Sequence, residues 1–228
     1  MTDINLIPVK TRILTDKDDV FAVMDEYVKD QIGPGDAVSI AESVLAIMQG
    51  RIVRPEDVKP CLLARTLCLF VAQEGSLASP FGMQALMNVE GKWRVAGAFV
   101  AGAVMKVFKK PGWFYRLGGE QAALIDDVTG TMPPFDKHIV YGPDKPFEVV
   151  RELKRRLGCY GAVVADVNDL KRARIVSHTD GMNPALVSHI LIDNPFGNAS
   201  QKTPIVIIKN YAKLREQMPS AQSAADSQ

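Results

Sequence analysis

Apolar and polar positions divide the chain into short runs of two different periods. Residues 4–14 (Ile-Asn-Leu-Ile-Pro-Val-Lys-Thr-Arg-Ile-Leu) alternate imperfectly, as a strand with one wet face does. Residues 18–31 change to helical spacing, with Val20, Phe21, Met24 and Val28 in phase, a cap expected at Thr15-Asp16 and a stop at Gly33-Pro34-Gly35. A strand is predicted over 36–40, and 42–51 reads as strand, turn and strand about Gly50-Arg51. Residues 59–74 carry Leu62, Leu63, Leu67, Leu69, Phe70 and Val71 on almost every side, which predicts a helix buried on most faces. Ser79-Pro80 opens another helix through Met83, Leu86 and Met87, because proline is favoured in a first turn.

The second half is punctuated more sharply. Residues 95–107 are nearly uncharged, but fall well short of the ~20 apolar residues a spanning helix needs, so a buried or loosely covered segment is expected. Gly97, Ala98, Ala101, Gly102 and Ala103 there permit close backbone approach, which suits tight packing or a subunit contact. Trp113, Phe114 and Tyr115, flanked by Lys109, Lys110 and Arg116, read as an aromatic and basic wall for an anionic, ring-bearing ligand, or as a packing plug ringed by solvated cations. The run Ala122-Ala123-Leu124-Ile125 stops at Asp126-Asp127. Pro146 opens a helix with the stripe Val149, Val150, Leu153 and Leu157 and a stop at Gly158, its arginines and lysine forming a solvated face. Strands are predicted at 161–165, 173–177 and 204–209, and a short helix at Asn183-Pro184; a polar loop spans 193–203. With strands outnumbering simple strand–helix alternations and no internal repeat, the class is α+β, with mixed sheets and packed helices. One domain is expected over 1–217, or two interleaved lobes. Residues 218–228 are too poor in apolar groups to order themselves.

Composition narrows the function classes. Lys plus Arg total 27 against 26 Asp plus Glu, so nothing global attracts nucleic acid or an anionic membrane, and neither is expected as a partner. Cys61, Cys68 and Cys159 are odd in number and lie in apolar contexts, as reduced core residues do. The amino terminus has neither a basic nor an apolar leader region, which makes the cytoplasm the expected location. A membrane-surface or assembly role for the apolar run at 95–107 and the basic aromatic stretch after it ranks last, because the run is short and lacks a periodic basic face.

The chemistry left open is that of hard oxygen ligands. The chain has no Gly-x4-Gly-Lys-Ser/Thr loop, Gly-x-Gly-x-x-Gly, His-Glu-x-x-His or Cys-x-x-Cys, and His138, His178 and His189 stand isolated. Two apolar runs end abruptly at acids: 122–125 at Asp126-Asp127, and 161–165 at Asp166-Val167-Asn168-Asp169. Strands that end in carboxylates can hold Mg²⁺ or Mn²⁺ against a phosphate, which makes Asp126 and Asp166 the candidate ligands. Asp127, Asn168 and Asp169 are candidates for a second layer or for orienting water. The competing reading is that these residues only turn the chain, as Asp, Asn and Gly do.

The order Pro8-Val9-Lys10-Thr11-Arg12, Asp18-Asp19, Gly35-Asp36 and Gln49-Gly50-Arg51 resembles the amino-terminal half of the coenzyme F-420 gamma-glutamyl ligases. Ile125-Asp126, Pro143-Asp144, the basic helix, Asp166-Val167-Asn168, and the loop 194–201 entering Pro204-Ile205-Val206-Ile207-Ile208 are similar to the other half. The resemblance implies a metal- and nucleotide-dependent ligase that joins L-glutamate to a carboxylate acceptor through an acyl phosphate, using GTP (or ATP) with Mg²⁺ or Mn²⁺, in an intertwined homodimer. It also implies that Asp126 and Asp166 bind metal, and that Ser43, Asn194, Gly197, Asn198 and Gln201 approach the nucleotide. Four positions depart from the family pattern. Ile47 and Gln49 replace a Lys and a Glu, Val167 replaces a Thr, and Thr129 an Asn. Residues 96–115 have no counterpart in the family, which points to a remodelled acceptor pocket. A non-catalytic module that retains the fold and binding site is the alternative.

Overall fold

The computed structural model describes residues 4–71, 76–109, 112–125, 133–197 and 200–217. In chain order it begins with strand β1 (Leu6–Val9), helix α1 (Val20–Tyr27), strand β2 (Ala37–Ala41) and helix α2 (Glu42–Met48). The middle contains β3 (Ile52–Val53), α3 (Leu62–Leu67), α4 (Pro80–Glu90), α5 (Lys92–Val107), α6 (Trp113–Leu117) and β4 (Ile139–Val140). It closes with α7 (Pro146–Leu157), β5 (Gly161–Asn168), β6 (Arg172–His178), α8 (Pro184–Leu191), β7 (Ile205–Ile208) and α9 (Tyr211–Gln217). Two units result: a sheet unit from Met1–Gly50 and Pro143–Gln228, and a largely helical unit from Arg51–Gly142. The protein is a mixed α and β structure with a mixed sheet.

The sheet unit has strand order β1-β7-β2-β5-β6, in which β2 and β5 are parallel and every other neighbouring pair is antiparallel. Its three central strands are apolar at nearly every position because both faces are covered. Val38, Ile40, Val164, Ile205 and Ile207 meet α1, α2 and α7 on one face; Ala37, Val163, Ala165, Val206 and Ile208 meet α8 and α9 on the other. Local chemistry sets the helix ends. The Asp19 carboxylate accepts from the N–H groups of Phe21 and Ala22, the Asn183 side chain from those of Ala185 and Leu186, and Gly158 stops α7 at φ +61°. Buried Asp36 accepts from the Gly33 N–H (2.8 Å), the Asn210 N–H (2.8 Å) and Lys209 Nζ (2.5 Å). Burial would raise its carboxyl, yet these donors outweigh burial and hold it below the ordinary carboxylate range.

The helical unit pairs β3 with β4 and packs Val58, Cys68, Leu77, Met83, Leu86, Val95, Ile125 and Ile139 into a separate core. Ser79 caps α4 by accepting from the Gly82 N–H at 2.9 Å, and Gly91 separates α4 from α5 at φ +91°. Gly102 lets α6 lie close, since a Cβ there would stand 3.0 Å from Cβ of Phe114. All three cysteines are free thiols, and burial pushes Cys159 up to about 11. Among the described residues no helix is long and apolar enough to cross a membrane.

Several expectations are corrected. The strand expected over 4–14 is confined to β1, and the first helix is capped by Asp19, because Thr15 closes its own turn on Asp18. Residues 42–48 form a helix, whose Leu45 and Met48 reach the core at i,i+3; in so short an apolar run that period is indistinguishable from a strand. The helix expected over 59–74 is shorter, and its outer side chains Leu62, Leu69 and Phe70 are 82%, 77% and 71% exposed. Residues Glu120–Ala123 form a 3-10 turn instead of a strand, because Ala122 and Ile125, three apart, are the side chains that enter the core. Helix α9 was unanticipated: Tyr211 and Leu214 bury against the sheet. Residues 218–228 lie outside the described residues.

Candidate functional site at the carboxyl edge of the parallel strands

The pairing of Ala41 with Ala165 sets the carboxyl ends of β2 and β5 side by side. From β2 the chain passes directly into α2, so Glu42 and Ser43 occupy its first turn beside that edge. Strand β7 enters from the same side: the Ala41 N–H donates to the Pro204 carbonyl and the Thr11 N–H to the Lys202 carbonyl, both at 2.9 Å. One edge therefore collects Thr11, Glu42, Ser43, Asp166 and the segment leading into β7. In open α/β sheets the carboxyl ends of parallel strands are where ligands bind.

Asp166 does not end β5. It lies within the strand opposite Arg174 of β6, and strand alternation sends it to the face of Val164, which α2 covers. Burial by surrounding protein pushes its carboxyl above the ordinary range, with the Arg174 guanidinium pulling the other way. The side chain is nonetheless exposed to solvent. Glu42 is buried at the same edge. Asp126, Asp127, Thr129, Asn198 and Lys110 lie outside the described residues. Among the described residues no three His, Cys, Asp or Glu side chains group as a metal-holding set. Asp166 is thus the one hard-oxygen ligand of the expected pair whose setting is defined, and the described side chains do not by themselves complete a metal shell.

The loop after α8 is laced to the β5–β6 turn. Asn194 Nδ2 donates to Asp169 Oδ1 at 2.6 Å and to the Gly197 carbonyl at 3.4 Å, and Lys171 Nζ reaches Asp193 Oδ1 at 2.5 Å. Gly197 holds φ +66° with the Gln201 side chain lying where a Cβ would be. Asn194 itself sits at φ +51°, and its buried Oδ1 has no partner among the described residues. The structure therefore brings together Asp169, Asn194, Gly197 and Gln201, while Ser43 stands half-buried on α2. Asn168 behaves as a turn residue, accepting through Oδ1 from the Leu170 and Arg172 N–H groups.

The departures from the ligase pattern have structural uses. Ile47 is buried, Val167 packs against the α8–α9 core, and Gln49 clasps Asp144, donating to its carbonyl at 2.9 Å and accepting from its N–H at 2.7 Å. In the helical unit Phe114 stacks edge-on with Phe99 and Tyr115 while Arg116 lies over Trp113, although no side chain of α6 is buried. Two groups at the edge were missed from sequence. Glu42 follows an apolar strand just as Asp166 does, a signal obscured by reading 42–51 as strand and turn; Arg174 is identified only by hairpin register. No protein-family model matches the chain, and no curated protein matches it at a significant level.

Proposed function

We propose that the protein is a metal- and nucleotide-dependent ligase, related in fold and chemistry to the coenzyme F-420 gamma-glutamyl ligases and working as an intertwined homodimer. Supporting this reading is the β2–β5 edge, where parallel register sets Asp166 beside the first turn of α2 with Glu42 and Ser43. In the reaction, an acceptor carboxylate oxygen attacks the terminal phosphorus of GTP or ATP and the nucleoside diphosphate leaves. The amine of an amino acid such as L-glutamate then attacks the acyl carbon, loses a proton and expels phosphate. Bound Mg²⁺ or Mn²⁺ would neutralise phosphate charge. Asp166 and Asp126 would hold it, with Ser43, Asn194, Gly197, Asn198 and Gln201 positioning the nucleotide.

A thermal-shift matrix of GTP, ATP and GDP with and without Mn²⁺, on wild type and Asp166→Asn, tests the site. A ligand at about 100 times its Kd stabilises by about 2.7 kcal/mol, so a metal-dependent shift lost in the variant is expected. No shift with any nucleotide removes the ligase reading. A second reading, a binding module without phosphoryl transfer, is favoured by the burial of Ile47 where the family carries a phosphate-facing lysine. Its signature is a nucleotide shift with no phosphate released in any mixture of amino acids and carboxylate acceptors.

A further inference from the structure

The exposed face of α5 is apolar along its whole length, and its period is specific. Trp93, Gly97, Val100, Val104 and Val107 are separated by four, three, four and three residues, which places them in one stripe, and all five are exposed. Trp93 and Val107 at its two ends are each 81% exposed. The opposite side of the helix supplies the buried residues, Val95 and Ala98. Phe108 extends the exposed stripe beyond the helix end. Residues 91–119 contain Lys92, Arg94, Lys106, Lys109, Lys110 and Arg116 and no acidic residue. Because the whole chain carries a formal net charge of only +1, that positive charge is concentrated here and the remainder is net negative. The neighbouring Glu90 pairs with Arg94 at 3.0 Å, so the excess positive charge of the segment is that of Lys92, Lys106, Lys109, Lys110 and Arg116.

We infer that this face is a docking surface for an anionic lipid bilayer, into whose interface the α5 stripe inserts while the flanking cations meet the headgroups. Two observations choose this occupant. An apolar stripe with Trp93 at one end, on a helix with lysines at Lys92 and Lys106, has the make-up of a membrane-interfacial surface. A second copy of the chain would bring the same cations against themselves, so charge disfavours self-association through this face. From sequence this role ranks last, because only the structure shows that one side of the apolar run is uncovered. The inference is independent of the ligase reading, since it uses no residue of the β2–β5 edge.

Of the chain's two tryptophans, Trp93 lies on this stripe, so the fluorescence of a Trp113→Phe variant, which keeps Trp93 as its sole tryptophan, reports on it. The full chain would be mixed with vesicles of phosphatidylcholine alone or with added phosphatidylglycerol, at low and high salt. Expected are flotation with the anionic vesicles, a blue shift, quenching by brominated acyl chains, and weakening with salt. Val104→Ser should weaken partitioning about tenfold, as losing one inserted apolar side chain implies, and Lys106→Gln about fivefold, as losing one cation implies. Both positions are exposed, so an unchanged circular dichroism spectrum and melting temperature are expected for both variants. Absence of binding to anionic vesicles, equal binding to neutral ones, or a blue shift that instead follows protein concentration with a dimer in sedimentation would each overturn the inference.

Discussion

The sheet unit and the helical unit solve the same burial problem with different completeness. Among the described residues the sheet unit leaves four large apolar side chains exposed, and the helical unit twelve, although the helical unit is the shorter. The reason is geometric. A five-stranded sheet with helices on both faces gives each inward residue a partner, whereas short helices around a small core bury one stripe each and leave the opposite stripe uncovered. Apolar composition therefore means core in one unit and surface in the other. Leu69 and Ile207 are similar in chemistry and opposite in fate.

The largest effect expected from breaking this comparison lies in that pair. Ile207→Ala should cost about 2–5 kcal/mol in urea unfolding, and Leu69→Ala about 0.5 kcal/mol or less. A core-sized loss at Leu69 would mean that its face is covered in solution, and the contrast would fail.

Next comes the ion pair that ties the sheet unit together. Lys209→Met leaves buried Asp36 with its two backbone donors alone and should destabilise by about 1–3 kcal/mol near neutral pH. Because the Asp36 carboxyl is held below its unfolded value, its contribution is complete above about pH 4 and is lost as pH falls from there. Urea midpoints measured across that window should fall for wild type and fall less steeply for Asp36→Asn. Identical slopes would show that the acid sensitivity of this unit arises elsewhere.

Helix ends sharpen the comparison by showing what the two units share. Asn183→Ala in the sheet unit and Ser79→Ala in the helical unit should each cost about 1 kcal/mol, since both side chains accept from first-turn N–H groups. Equal losses would place the difference between the units in coverage and not in local helix chemistry. The smallest effect separates two glycines of α5. Gly97→Ala meets nothing within 4 Å and should stabilise by up to about 1 kcal/mol. Gly102→Ala should forfeit that gain, because the new methyl presses on the Phe114 backbone. Melting curves of the two variants distinguish open from closed sides of the same helix.

Much of the fold is legible where the signal is local. Pro80 with Ser79, Pro146 with Gly158, and Asn183 with Pro184 mark three helices through caps and stops that act within a few residues. The apolar runs at 37–41, 161–165 and 205–208 mark the central strands. Legibility fails where two local readings are equally good, as at 42–48 and 122–125, each apolar enough for strand or helix. At the candidate site Asp166 was legible as an acid after an apolar run, but its setting was not: Arg174 faces it through hairpin register, and Glu42 and Ser43 lie beside the same edge through parallel pairing across more than a hundred residues.

Neighbours along the chain are enough to set the α+β class, the starts of α4, α7 and α8, the identity of the sheet's apolar strands and the concentration of positive charge in 91–119. Tertiary structure alone decided which apolar stripes found partners, which acids share an edge, and that Val100 and Val104 face outward while Val95 faces in. Burial is a property of what lies opposite a side chain, and what lies opposite is set by contacts between segments remote in sequence.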